Sequence, residues 1–220
     1  MAIAFDLTTA YDGPLEATST FTHVITGSNP FLFLFIRRNT NPADVTGVTC
    51  NGTAMTLVPS SALTVGVAGN DGMVSYYMFN PPTGTVTIVI SCSSALFGTN
   101  ARAASYTGVL STSLDSNVTT NPNNSGATTL TLTTTTVADN CWLIAGMRNQ
   151  TGNFTAGANT TMRGASNALS IADSNAAQTP AGSKSLAATH GAGYDGGTII
   201  SISPLSATIF SSNLLLMGVG

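Results

Sequence analysis

Short runs of valine, isoleucine, threonine and aromatic residues follow one another along this chain, separated by clusters of glycine, proline and asparagine. Such residues fit a pleated, half-buried surface, and no stretch carries apolar positions at a convincing helical spacing. "IAFDLT" (3–8) and "ATSTFTHVI" (17–25) open the series. "FLFLFIRR" (31–38) is apolar at odd and even positions alike, which predicts a central strand covered on both faces. "CWLIAGMR" (141–148) predicts a second one. In "VTGVTCNGTAMTLV" (45–58), Asn51-Gly52 between two alternating runs predicts a hairpin, because a type I′ turn needs positive φ at both central residues. "MVSYYMF" (73–79) and "TVTIVIS" (85–91) flank Asn80-Pro81-Pro82-Thr83-Gly84. There the prolines fix φ, and Gly84 permits a positive φ that returns the chain to a sheet.

"ARAASYTGV" (101–109) reads as a further strand, and Leu110 to Ala127 is polar, asparagine-rich and long for a loop. Beyond it come "TTLTLTTTTV" (128–137), shorter segments near residues 159–173 and 184–190, and "GTIISIS" (197–203). About twelve short strands with turn signals every 8–12 residues predict an all-β sandwich or barrel. The expected fold is an antiparallel two-sheet β-sandwich, jelly-roll-like, in one domain over residues 1–220 with a crossover or linker at 110–127. No fixed-period repeat is visible. The tail "ATIFSSNLLLMGVG" (207–220) ends in an uncharged apolar stretch. Leu214, Leu215, Leu216, Met217 and Val219 are expected to form an assembly segment, since such a terminus must be tied to its own sheet or to a neighbour.

Composition changes this picture in one respect. Only 7% of the residues are charged, against roughly 25% in ordinary domains, so hydroxyls and amides must coat the surface. A coat of that kind gives up little charge solvation on contact, which suits a subunit meant to assemble. The net charge of -3 and six scattered basic residues exclude a phosphate-tracking groove, so no nucleic-acid partner is expected. "FLFLFI" falls far short of the roughly 20 apolar residues that cross a bilayer, and no membrane partner is expected. The start "MAIAFDLTTAYDG" lacks a signal-peptide pattern, which predicts a protein made in a host cytoplasm. Cys50, Cys92 and Cys141 stand far apart without metal-ligand spacing and read as buried free thiols; one disulfide plus a spare thiol is the alternative.

Candidate chemistry is sparse. The chain holds His23, His190 and Glu16 as its only histidines and glutamate, and no G-x-S-x-G elbow. His190 and Asp195 in "THGAGYDGG" could be cast with a serine as a hydrolase site, but a loop histidine beside a glycine-rich turn accounts for them more simply. The aspartates sit mostly beside Asn, Gly or Ser, as turn caps do. "GNDG" (69–72) and "YDGG" (194–197) are fragments of calcium-loop chemistry at most. No catalytic, cofactor or metal residues are expected. Tyr11, Phe154 and Tyr194, near glycine-rich stretches, are the aromatics that could stack on a surface glycan.

"VTGVTCNGTAMTLV", "VSYYMFNPPTGTVTIVIS" and "ARAASYTGV", followed by "TTTVADNCWLIAG" and "SNAAQTPAGSKSLAAT", resemble a β-sandwich domain recurrent in tailed-phage virion proteins and some bacterial surface proteins. The resemblance covers most of the chain but rests on turn and core positions, so it carries no catalytic residues across. It implies a non-enzymatic virion structural protein, decorating a capsid or associated with a tail. Such a subunit would be a homo-oligomer, trimeric or higher, contacting other virion proteins. A carbohydrate-binding or adhesion module on a particle or cell surface is the alternative.

Overall fold

The computed structural model describes residues 2–38, 44–66, 71–95, 98–109, 113–120, 126–166 and 168–204. In chain order the first half contributes β1 (Ala4–Leu15), β2 (Thr18–Ile25), β3 (Phe31–Arg38), β4 (Val45–Cys50), β5 (Thr53–Ala54), β6 (Thr56–Leu57), β7 (Leu63–Val65), β8 (Asp71–Phe79), β9 (Gly84–Cys92) and β10 (Gly98–Thr107). The second half contributes β11 (Ser116–Thr120), β12 (Ala127–Thr136), β13 (Trp142–Asn149), β14 (Thr155–Ala156), β15 (Thr161–Ser166), β16 (Leu169–Asp173), β17 (Gly182–Gly193) and β18 (Asp195–Ile202). Every strand pairing is antiparallel, and the described residues include no α-helix.

The first half folds into two facing sheets. An inner sheet runs β1-β10-β3-β8-β6, with β7 also on β8, and an outer sheet runs β2-β9-β4-β5. Four strands ordered 1-10-3-8 opposite four ordered 2-9-4-5 form a jelly roll, as expected. The two-sheet sandwich occurs twice, because the second half pairs an inner sheet β11-β18-β13-β16-β15 with an outer sheet β12-β17-β14. Residues 116–120, inside the stretch read as a crossover, form an edge strand on β18.

Three cores separate the four layers. Leu32, Leu34 and Ile36 of β3 pack with Val86, Ile88 and Ile90 between the first two sheets. Phe31, Phe33 and Phe35, on the opposite face of β3, pack with Trp142, Ile144, Ile171 and Ile200 between the two inner sheets. Leu143, Ala145 and Met147 then pack with Leu130, Leu132 and Leu186. Side chains alternate along a strand, so a strand between two cores must be apolar at every position. That is the physical reason for "FLFLFI" and "WLIAGM".

The turn chemistry is as the residues require. Asn51 (φ 47) and Gly52 (φ 80) both lie at positive φ and join β4 to β5 through the Cys50–Thr53 pair. Gly84 is also at positive φ (94), and Asn80 joins it at 49. However, β8 lies in the inner sheet and β9 in the outer one. The double proline therefore marks a corner between layers, pinned where the Asn80 amide donates to the Pro30 carbonyl at 2.8 Å.

Candidate functional site

The arrangement closest to a catalytic one lies at β1, β2 and β10. Ser105 Oγ donates to Asp6 Oδ2 at 2.7 Å and lies 3.1 Å from His23 Nε2. Thr9 Oγ1 is 2.8 Å from His23 Nδ1. The serine has one proton, and the carboxylate takes it. His23 Nε2–H must then donate to Ser105, and Nδ1 must accept from Thr9. A nucleophile needs the reverse, with the imidazole accepting from the hydroxyl. Burial drives the His23 pKa down to about 4, against the weaker pull of Asp6, so the ring is neutral. Burial would raise Asp6, but hydrogen bonds from Thr26 and Ser105 outweigh it and hold the carboxyl below its usual range. The cluster ties the turn after β2 to the inner sheet.

His190 and Asp195 are also together. His190 Nε2 lies 2.9 Å from Asp195 Oδ2, Nδ1 lies 2.7 Å from the Gly191 carbonyl, and Phe154 packs edge-on against the ring. Both nitrogens face acceptors, and burial raises the Asp195 pKa against the pull of His190. Both side chains are fully buried.

The other seven aspartates divide into two groups, of which the sequence revealed one. Asp6, Asp115 and Asp139 accept from backbone amides of turns, as read. Asp12 and Asp71 instead pair with arginines distant in sequence, and Asp44 and Asp173 with Arg38 and Arg163 nearer by in the chain. Arg38, fully buried, donates to Asp44, Thr99 and the Ser94 carbonyl. Arg37 and Arg148 share Asp71. Arg37 and Arg38 close β3 and are both held by aspartates, Arg37 by one that only the fold brings near. Among the described residues no three His, Cys, Asp or Glu side chains come together as metal ligands.

The three aromatics read as glycan contacts lie against three different cores. Phe154 is only 6% exposed. Tyr194 is partly buried against the core between the inner sheets. Tyr11 stacks on Phe21 with centroids 5.0 Å apart, and its hydroxyl donates to Glu16. The structure does not gather them into one surface. Leu214, Leu215, Leu216, Met217 and Val219 lie outside the described residues.

With charges drawn inward, the outer sheets present hydroxyls. Thr18, Thr20 and Thr22 of β2 point outward beside Thr85, Thr87 and Ser91 of β9, with Thr22 opposite Thr87. On the far side of the molecule Thr129, Thr131, Thr133 and Thr135 of β12 face outward beside Ser183, Ser185 and Thr189 of β17. Thr133 and Ser185 hydrogen-bond across the strands at 2.7 Å. No charged side chain belongs to the outward set of either pair of strands. Successive outward residues stand roughly 7 Å apart along a strand and about 4.8 Å apart between strands. Each face is thus a regular array of hydroxyl and methyl groups, the strongest candidate in the molecule for contact with something else.

No protein-family model and no curated protein matches the chain. Among solved structures it is similar to the major capsid protein P2 from Bacteriophage PM2, at 8% identity over 92% of this chain and 99% of that one, with a TM-score of 0.31. A TM-score that low carries neither fold nor function from one chain to the other.

Proposed function

We propose that the chain is a structural subunit of a phage-like virion, on the capsid surface or the tail, which assembles with itself and with other virion proteins. The observation that carries this reading is the pair of uncharged, hydroxyl-coated outer faces on a molecule whose arginines are turned inward to aspartates. Docking such a face strips little charge of its water, and a regular array suits repeated identical contacts. An assembled trimer or larger ring would use one of these faces, with residues 214–219 as a second contact.

Thr20→Lys and Thr131→Lys test it, since an outward strand position accepts lysine at little cost to the fold. The expected result is a folded protein whose mass by light scattering falls to that of one chain and which no longer enters particles. Deleting residues 207–220 is expected to act in the same direction. Unchanged mass and unchanged incorporation in all three variants would overturn the reading.

A second reading, a glycan-binding surface, draws support from Tyr11, whose partly buried ring stacks on Phe21. Glycan-array binding that disappears with Tyr11→Ala would favour it, and no binding by the unaltered protein would count against it.

A further inference from the structure

Seven strands of one sandwich match seven of the other. β1, β2, β3 and β4 correspond to β11, β12, β13 and β14, and β8, β9 and β10 to β16, β17 and β18. The correspondence reaches single residues. Ile25 pairs with Gly84 at one end of β2, and Thr136 pairs with Gly182 at the same end of β12; both glycines are at positive φ. The connections that follow are equal in length, and each holds one asparagine at positive φ in the same place, Asn29 (φ 49) and Asn140 (φ 61). Asp6 accepts from the Thr26 amide and from Ser105; Asp115 accepts from the Val137 amide and from Ser201. Thr134, bonded to Ser116, stands where His23 stands. The outward threonines 18, 20 and 22 fall on 129, 131 and 133.

The sandwiches meet through the same face of the same sheet, which requires one to be turned over relative to the other. At a twofold axis each residue meets its own equivalent. Phe35 and Gly146 are equivalents, and the Phe35 ring lies so close over Gly146 that a Cβ there would stand 2.3 Å from its Cγ. Arg37 and Arg148 are equivalents too, and both bind Asp71.

We infer that the chain is a fused dimer: two copies of one jelly roll joined end to end, whose inner sheets form a protein–protein interface around a pseudo-twofold axis. The partner that fits either inner sheet is the other copy. Phe35 and Gly146 make the fit one-sided. Two phenylalanines on the axis would collide and two glycines would leave a void, so each half is complementary to the other and not to itself. The two jelly rolls have become a knob and its hole.

Exchanging the knob tests this. Phe35→Gly and Gly146→Phe are each expected to lower the thermal midpoint, by a cavity and by overpacking. The double variant Phe35→Gly/Gly146→Phe places the ring on the other copy at the same axis and is expected to recover at least half of the summed loss. No recovery beyond additivity would overturn the pseudo-symmetric axis. A protease site inserted between Thr120 and Gly126 of the otherwise unaltered chain supplies a second reading. After cleavage the halves are expected to co-elute at the mass of the intact chain, and with Phe35→Gly to dissociate at least tenfold more readily. Halves that separate on cleavage would overturn the interface.

Discussion

Arg148 of β13 donates to Asp71 of β8 at 2.5 Å, across the boundary between the two sandwiches, with both side chains only 6% exposed. Burial lowers the Arg148 pKa and the Asp71 carboxylate counters it, so the cation depends on one partner that a different half supplies. Asp71→Ala leaves Arg148 buried without that anion and takes the same anion from Arg37. Breaking a buried pair in this way costs about 3–5 kcal/mol, discounted here because Arg37 reaches solvent. Chemical denaturation is expected to show a loss of about 3 kcal/mol for Asp71→Ala, and a smaller one for Arg148→Met.

Acid is expected to weaken the protein through His23. The His23 pKa is about 4 in the fold, against an ordinary 6.5, so the unfolded chain takes up the proton first. The stabilisation is complete above pH 6.5 and lost as pH falls to about 4, roughly 3 kcal/mol in all. His23→Thr, which copies Thr134, is expected to flatten the midpoint between pH 6.5 and 4. An unchanged slope would remove His23 as its source.

Asp6 and Asp115 hold equivalent turns, so their losses should match. Asp6→Ala orphans the Thr26 amide and the Thr26 and Ser105 hydroxyls, and Asp115→Ala the Val137 and Ala138 amides and the Ser201 hydroxyl, each at about 1–3 kcal/mol. Urea midpoints of the two variants are expected to fall by similar amounts, with neither changing the m-value.

The thiols should be silent in the native state. Cys50 and Cys141 are buried, Cys92 is partly so, and all three are unpaired. Burial, then Asp115, pushes the Cys141 thiol up to about 12, and burial also raises Cys50 and Cys92. A thiol reagent at pH 8 is expected to label none of them within minutes, and all three after unfolding.

What the sequence showed and what it hid follow from the range of each interaction. The central strands β3 and β13 were legible because burial on two faces leaves only apolar positions, a local signature. The Asn51-Gly52 turn and the positive φ of Gly84 were legible for the same reason. Sheet membership was not, since β8 and β9 read as neighbours on either side of a turn and only their partners place them in different layers. Asp71 could not be matched to Arg37 and Arg148 from spacing, because strand register sets those distances. The duplication hid in the same way. Phe35 against Gly146 and His23 against Thr134 erase sequence likeness while the pairing registers keep the shared geometry.

The core between the inner sheets also has a consequence in time. β10 ends at Thr107, so the first jelly roll has all its strands while the second is still being synthesised. Until that second half arrives, Phe31, Phe33, Phe35 and Tyr106 face water from a finished sheet. At ~5–20 residues per second, the roughly hundred residues still to be made leave that face uncovered for about 5–20 s. A nascent chain stalled in this interval would display the most adhesive surface it ever has, so the ribosome's pace and any waiting chaperone bear directly on its yield.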